Sequence, residues 1–368
     1  MKKILVITGG LSNESKLSLI SGEDVVRALM EENTEINISI LEITDNMKMS
    51  LYSDPQLFLN RNTVNADLRK IHEYNNLDLS ALETDSYDVA FLALDGTFAE
   101  DGHIQALLNL TKIPYTGSDV MASSIGMNKS KCYEFISKQE VNIPEYFIVR
   151  TTDHDVNEID TKIKSEFGYP CIVKPNDSGS SIGMSSPKTK DQLEDALKES
   201  FRHSQITIVQ KFIKGREFAC GVIGNTGFTE LEALPIAESV VENFSAYTHE
   251  QKYYSHDIKD VCPAIIEDSL EELIMEKAKN VHEILSCDGL TRSDFRYDEE
   301  SGELYFLEIN TLPGHTKNSI CPQEAYALGM TFGELILKQI DLAILRKNTS
   351  KLIYSDQPNH SYYRHSND

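Results

Sequence analysis

Apolar positions in the first third of the chain follow two alternating rhythms. Ile4-Leu5-Val6-Ile7 and Tyr87 to Leu94 are short unbroken apolar runs, which predict strands covered on both faces. Each run gives way to polar residues and then to helical spacing. Gly9-Gly10 reads as a tight turn and Ser12 as the N-cap of a helix carrying Leu19, Ile20, Val25 and Leu29. Asp95 to Gly102 is a polar loop ahead of a helix carrying Ile104, Leu107 and Leu108. This alternation predicts an α/β unit over residues 1–119, with polar loops at strand ends where open parallel sheets take ligands.

Beyond it the pattern is α+β. A helix over Ser123 to Gln139, a strand over Tyr146 to Arg150, a charged amphipathic helix and a strand over Pro170 to Pro175 come first. A Gly/Ser-rich loop, Asn176 to Gly183, follows, then a helix with Leu193, Ala196, Leu197 and Phe201 on one face, and a strand from Ile206 to Ile213. This is a second unit, 120–214. The third unit, 215–348, has strands Phe218 to Ile223 and Leu231 to Ile236, then a polar aromatic stretch, Asn243 to Tyr254, with no period. Ser269 with Glu272 predicts a capping box for the next helix; Arg292 to Tyr297 and Leu304 to Ile309 predict a hairpin-like pair. A last helix starts at Thr331, with Glu334 three residues on, and ends near Lys347, leaving a polar tail, 349–368.

The 368 residues are 40% apolar and 25% charged, a globular composition. A formal net charge of -23, with no basic stretch, argues against a nucleic-acid partner. No run approaches the roughly 20 apolar residues of a membrane span, so no membrane partner and a cytoplasmic location are expected. The six cysteines contain no C-x-x-C pair and predict free, mostly buried thiols rather than a zinc or redox site.

Three constellations carry chemistry. Arg292-x-Asp294 and Glu308-x-Asn310 each fall on one face of a strand, so pairing of the strands gathers two carboxylates, a carboxamide and a guanidinium. Hard oxygen donors with room for phosphate are what Mg²⁺ takes. A merely salt-bridged sheet face is disfavoured by the break at Thr311-Leu312-Pro313-Gly314, where backbone N–H groups come free. Lys174 ends a buried strand ahead of the Gly/Ser-rich loop, an arrangement that suits phosphates although it is not a Walker sequence. Glu217, just past Gln210-Lys211-Phe212-Ile213, suits adenine and ribose.

Taken in order, Lys129-Ser130-Lys131, Val173-Lys174-Pro175, Lys211-Phe212-Ile213 with Glu217, and Leu307-Glu308-Ile309-Asn310-Thr311 resemble the ATP-grasp ligases. Gly9-Gly10-Leu11-Ser12 with Glu14 and Ser18, Pro114-Tyr115-Thr116-Gly117, Gly179 to Met184, Lys252-Tyr253 and Thr311 to Pro322 narrow the resemblance to the D-alanine–D-alanine ligase family, from Lys3 to about Leu345. The resemblance implies an ATP-grasp fold with an N-terminal Rossmann-like parallel-sheet domain. It implies a ligase that activates one amino acid as an acyl phosphate for capture by the amine of a second, the two joined as D-alanyl-D-alanine for peptidoglycan precursors. An altered partner, D-serine, D-lactate or a specialised peptide, stays open.

By the same resemblance ATP lies against Lys129, Lys174 and Lys252, with Gln210, Lys211, Ile213 and Leu307 around adenine and Glu217 on ribose. Asp294, Glu308 and Asn310 hold two Mg²⁺ ions, with Mn²⁺ as an alternative. Glu14 takes the first amino acid's ammonium, with Ser180 and Tyr253 tied to it, while Arg292 and the Gly314 N–H meet the oxyanion and Ser319 holds the second carboxylate. Asn243 to Tyr254 corresponds to a closing loop, and a homodimer is expected. Four positions depart from the family pattern: Asp95 for a histidine beside the first substrate, Asn128 for aspartate, Gln210 for an acid and His315 for methionine. Asp95 either changes the substrate preference or leaves D-alanine use intact.

Overall fold

The structure is a computed structural model. It describes residues 2–32, 35–44, 46–61, 71–74, 76, 86–152, 155–241 and 258–355. Lys252, Tyr253 and the Asn243 to Tyr254 stretch lie outside the described residues, as does the tail from 356.

The first sheet contains β1 (Lys2–Gly9), β2 (Ile36–Ile43), β3 (Met49–Tyr52), β4 (Ile71–Tyr74) and β5 (Val89–Leu94), in the order β4-β3-β2-β1-β5. The unbroken apolar runs of β1 and β5 pair in parallel, as runs buried on both faces should. Helix α1 (Ser15–Glu31) covers one face with Val25, Val26 and Leu29. Ser12 is not its cap: its hydroxyl donates to the Asp95 carbonyl at 2.7 Å, and Glu14 takes the cap position. Ile20 points to solvent, 53% exposed, because the buried stripe runs through Ser18, Ser21 and Gly22 to Val25. Small residues are required there, since a Cβ on Gly22 would come within 2.4 Å of Thr8 Oγ1. After α2 (Pro55–Leu59), helix α3 (His103–Thr111) covers the other face with Ile104 and Leu108.

The predicted Ser123 to Gln139 helix is two helices, α4 (Val120–Met127) and α5 (Lys129–Ile136). Asn128 breaks it with an extended backbone and caps α5, its Oδ1 accepting from the Lys131 N–H at 3.1 Å. A second, antiparallel sheet is built from β6 (Tyr146–Arg150), β7 (Cys171–Pro175) and β8 (Ile206–Lys211), in the order β6-β8-β7. Helices α6 (Val156–Glu166) and α7 (Lys190–Phe201) pack Ile159, Ile163, Leu193 and Leu197 against it.

The third sheet contains β9 (Arg216–Asn225), β10 (Glu232–Ala233), β11 (Ala237–Val241), β12 (Ile258–Val261), β13 (Asp288–Asp298) and β14 (Glu303–Asn310). Its order is β12-β11-β9-β13-β14, and β10 pairs with β9. The strand expected over Leu231 to Ile236 shrinks to β10, whose pairing with β9 ends at Ala233. Helix α8 (Asp268–Ile284) starts two residues earlier than expected, with Glu267 as N-cap, so Ser269 lies inside the helix and its capping box does not form. Helix α9 (Ile320–Ala327) had no periodic signal. The Thr331–Glu334 box does form, with bonds of 2.7 and 3.1 Å, and the last helix, α10 (Phe332–Ser355), runs past Lys347. Its Phe332, Ile336, Ile340 and Ala343 return to the first sheet and complete the core under α1.

Candidate active site

Strands β13 and β14 set the site. Their antiparallel register places Arg292 opposite Asn310 and Asp294 opposite Glu308, with a β-bulge after Asp294. The alternate face carries Phe295, Phe306 and Ile309 into the core, so the polar face is obliged to look outward into a cleft. Arg292 grips Asp294 through two bonds of 2.7 and 2.8 Å. Glu308 meets the Lys129 ammonium at 3.2 Å, and Lys129 also donates to the Ser178 carbonyl at 2.7 Å. The first turn of α5 is thereby tied to the Gly/Ser-rich loop.

On one side of this wall is a cleft of about 870 Å³ lined by Lys129, Lys174, Gln210, Ile213, Glu217 and Leu307, among others. Lys174 is 7% exposed; burial pushes its ammonium down to about 8, against the pull of Glu308. Its Nζ donates to the Tyr133 hydroxyl at 3.3 Å, and that hydroxyl donates to the Leu307 carbonyl at 2.7 Å and lies 3.2 Å from Gln210 Oε1. Tyr133 is a residue that nothing in the local sequence pattern singles out. Glu217 is paired with Arg296, while the Lys211 side chain turns to Glu145 at 3.5 Å.

On the other side is a wider cleft of about 1560 Å³ that reaches Glu14, Asp95, Glu100, Ser180, Arg292, Asn310, Gly314 and Ser319. Lys129, Glu217, Asp294 and Glu308 line both clefts. Ser180 donates its hydroxyl to Glu14 from a left-handed backbone, φ 52°. Gly96, φ +82°, must lack a side chain, since a Cβ would come within 2.6 Å of Glu14 Oε2. Ser319 lies 2.8 Å from the Thr316 hydroxyl at the start of α9. Glu100 was also missed, although its loop was singled out: it accepts from the Gly96 N–H at 2.7 Å, and burial followed by the charge of Glu14 pushes it up to about 8.

His315 takes no part in either cleft. It is buried, bonded to Gln339 at 3.0 Å, and burial pushes it down to about 4, so it is neutral. The cysteines are free thiols, all buried except the half-buried Cys262. Among the described residues, no group of three or more His, Cys, Asp or Glu side chains is arranged to hold a metal, and no helix is long and apolar enough to cross a membrane.

Two family models, described as the D-ala D-ala ligase N-terminus and C-terminus, match residues 3–118 and 135–341. The chain belongs to the D-ala D-ala ligase family. The match makes it an ATP-dependent ligase, with the ATP-grasp architecture of its structural neighbours. A D-alanine–D-alanine ligase of Desulfotalea psychrophila is 34% identical over 95% of this chain and 97% of its own. A vancomycin C-type resistance protein, VanC2, of Enterococcus casseliflavus is 32% identical over 93% of this chain and 99% of its own. Among solved structures, the VanG D-Ala:D-Ser ligase of Enterococcus faecalis superposes with a TM-score of 0.80 at 29% identity, covering 93% of this chain and 99% of that one. The D-alanine–D-alanine ligase of Coxiella burnetii also gives 0.80, at 24% identity over 96% and 97% of the two chains, and supports the fold alone.

Proposed function

We propose that this ligase joins D-alanine to D-alanine in the cytoplasm, as a homodimer, for peptidoglycan precursors, and that its units divide near residues 119 and 214. The observation that carries the reading is the wall of Asp294, Glu308 and Lys129 shared by two clefts. A phosphoryl group leaving one chamber for a carboxylate in the other has to cross there.

In this reading the smaller cleft takes ATP, which supplies the phosphoryl group that activates the first carboxylate. Lys129 and Lys174, with Lys252, hold its phosphates; Glu217 holds ribose; Gln210, Lys211, Ile213 and Leu307 surround adenine. The donor set of Asp294, Glu308 and Asn310 is all hard oxygen, and it fits Mg²⁺, which takes one or two carboxylates and leaves its other positions to water and phosphate. Two such ions, or Mn²⁺, would neutralise charge on the phosphates. The carboxylates are now held by Arg292 and Lys129, which balance their charge.

Glu14 anchors the first ammonium, with Ser180 and Tyr253 steadying it. Arg292 and the Gly314 N–H stabilise the oxyanion of the tetrahedral intermediate, and Ser319 orients the second carboxylate. A different second substrate, D-serine, D-lactate or an amino acid of a specialised peptide, is favoured only by Asp95 in the larger cleft. Mass spectrometry of products from ATP, Mg²⁺ and mixed D- and L-amino acids tests both readings. D-alanyl-D-alanine as the main product upholds the first; its absence beside another dipeptide upholds the second.

A further inference from the structure

We propose that Asp95 is the base that takes a proton from the attacking ammonium of the second amino acid, an assignment that rests on the acyl-phosphate reading above. Its backbone is pinned on both sides: the N–H donates to Ser18 Oγ at 2.8 Å, and the carbonyl accepts from Ser12 Oγ at 2.7 Å. The carboxylate is 6% exposed and lines the larger cleft. Its Oδ2 accepts from Ser21 at 3.3 Å, and its Oδ1 faces the Gly314 turn. A methyl group on Gly314 would lie 3.3 Å from that oxygen and 3.2 Å from Ser319 Oγ. The carboxylate therefore stands beside the two groups assigned to the oxyanion and to the second substrate.

An ammonium has no lone pair with which to attack. It gives one proton to the Asp95 carboxylate, and the nitrogen pair released forms the bond to the acyl carbon. The bond from that carbon to the phosphate oxygen then breaks, its electrons leaving with phosphate. The second nitrogen proton departs on the phosphate, and Asp95 returns its own to solvent once the products are gone.

The other acids of this cleft are engaged elsewhere. Glu14 receives the Ser180 hydroxyl, Glu100 receives the Gly96 N–H of its own loop, Asp260 receives the Ser239 hydroxyl, and Glu217, Asp294 and Glu308 are held by Arg296, Arg292 and Lys129. The groups facing Asp95 are Glu14, Glu100, and Ser18 and Ser21 of α1; His315, next to Gly314, is neutral. Burial and then the charge of Glu14 push Asp95 up to about 7, against the hydrogen bonds of the two serines. A base matched to neutral pH is the most effective kind.

The test pairs Asp95→Asn with two acceptors, in ATP, Mg²⁺ and D-alanine. D-alanine arrives as an ammonium and needs a base; hydroxylamine is unprotonated near neutrality, needs none, and captures acyl phosphates as hydroxamates. The variant should lose about 10²–10⁴-fold in dipeptide formation while its hydroxamate formation stays close to that of the unaltered protein, which also shows that it is folded. The unaltered protein's dipeptide rate should rise with pH and level off above about 7, whereas the variant's should keep climbing into alkaline solution. An unchanged dipeptide rate, or equal loss with both acceptors, overturns the assignment. Absence of hydroxamate from the unaltered protein overturns the acyl-phosphate reading and this assignment with it.

Discussion

The two clefts displace their ionisable groups in opposite directions. In the smaller one burial drives Lys174 down to about 8; in the larger one it drives Asp95 up to about 7 and Glu100 up to about 8. One cause produces both shifts, because removing water penalises whichever form is charged. The lesson is that each chamber is incomplete without an occupant of opposite sign: an anion beside the lysines, a cation beside the acids. The wall between them, Arg292 with Asp294 and Lys129 with Glu308, balances its charges internally.

The largest expected effect comes from breaking that wall. Glu308→Ala should lower D-alanine-dependent phosphate release by about 10²–10³-fold or more, the scale for losing one electrostatic stabiliser of a transition state. Turnover within a factor of ten would show that the clefts do not communicate through Glu308. Next in size, Lys174→Met should raise the KM for ATP by roughly 10–100-fold and Glu14→Gln the KM for D-alanine by a similar factor, each matching one lost charge-assisted hydrogen bond. Steady-state kinetics should show each change on its own substrate. If both variants raised both constants equally, the division of labour would disappear.

Proton linkage sharpens the contrast without mutation. A phosphate beside Lys174 restores its charge, so nucleotide binding near pH 8 should take up protons. An ammonium beside Asp95 and Glu100 favours their ionised forms, so D-alanine binding between about pH 7 and 8 should release them. Calorimetry in buffers of different ionisation enthalpy reads both signs, and equal signs would refute the picture.

The smallest effect concerns Glu324, buried behind the wall, where both its oxygens accept from the Gly221 N–H at 3.2 and 3.1 Å, next to Arg292 in the register. Burial pushes it from 4.5 to about 8. The folded chain keeps this proton through that window and the unfolded chain does not, so stability falls as pH rises from about 4.5 to 8. Glu324→Gln removes the dependence, and its advantage in denaturant unfolding should grow steadily over the same window. A gap independent of pH would place the ionisation elsewhere.

Local chemistry determined much of this protein. Unbroken apolar runs predicted β1 and β5, and period-two spacing put Arg292 with Asp294 and Glu308 with Asn310 on one face before any pairing was known. The Thr331–Glu334 box was equally legible, because a capping box is made within four residues. Tertiary structure decided the rest. Ser12 and Ser269 carry the residue types of caps, yet one hydroxyl was drawn to Asp95 and the other was absorbed when its helix began at Asp268. Asn128 split a helix whose apolar pattern ran straight through, and α10 returned to a sheet formed at the far end of the chain. Tyr133 and the position of Asp95 beside Gly314 depend on contacts between residues distant in sequence. Periodicity reports which face of an element is buried; only packing brings a second element to that face and fixes what its side chains meet.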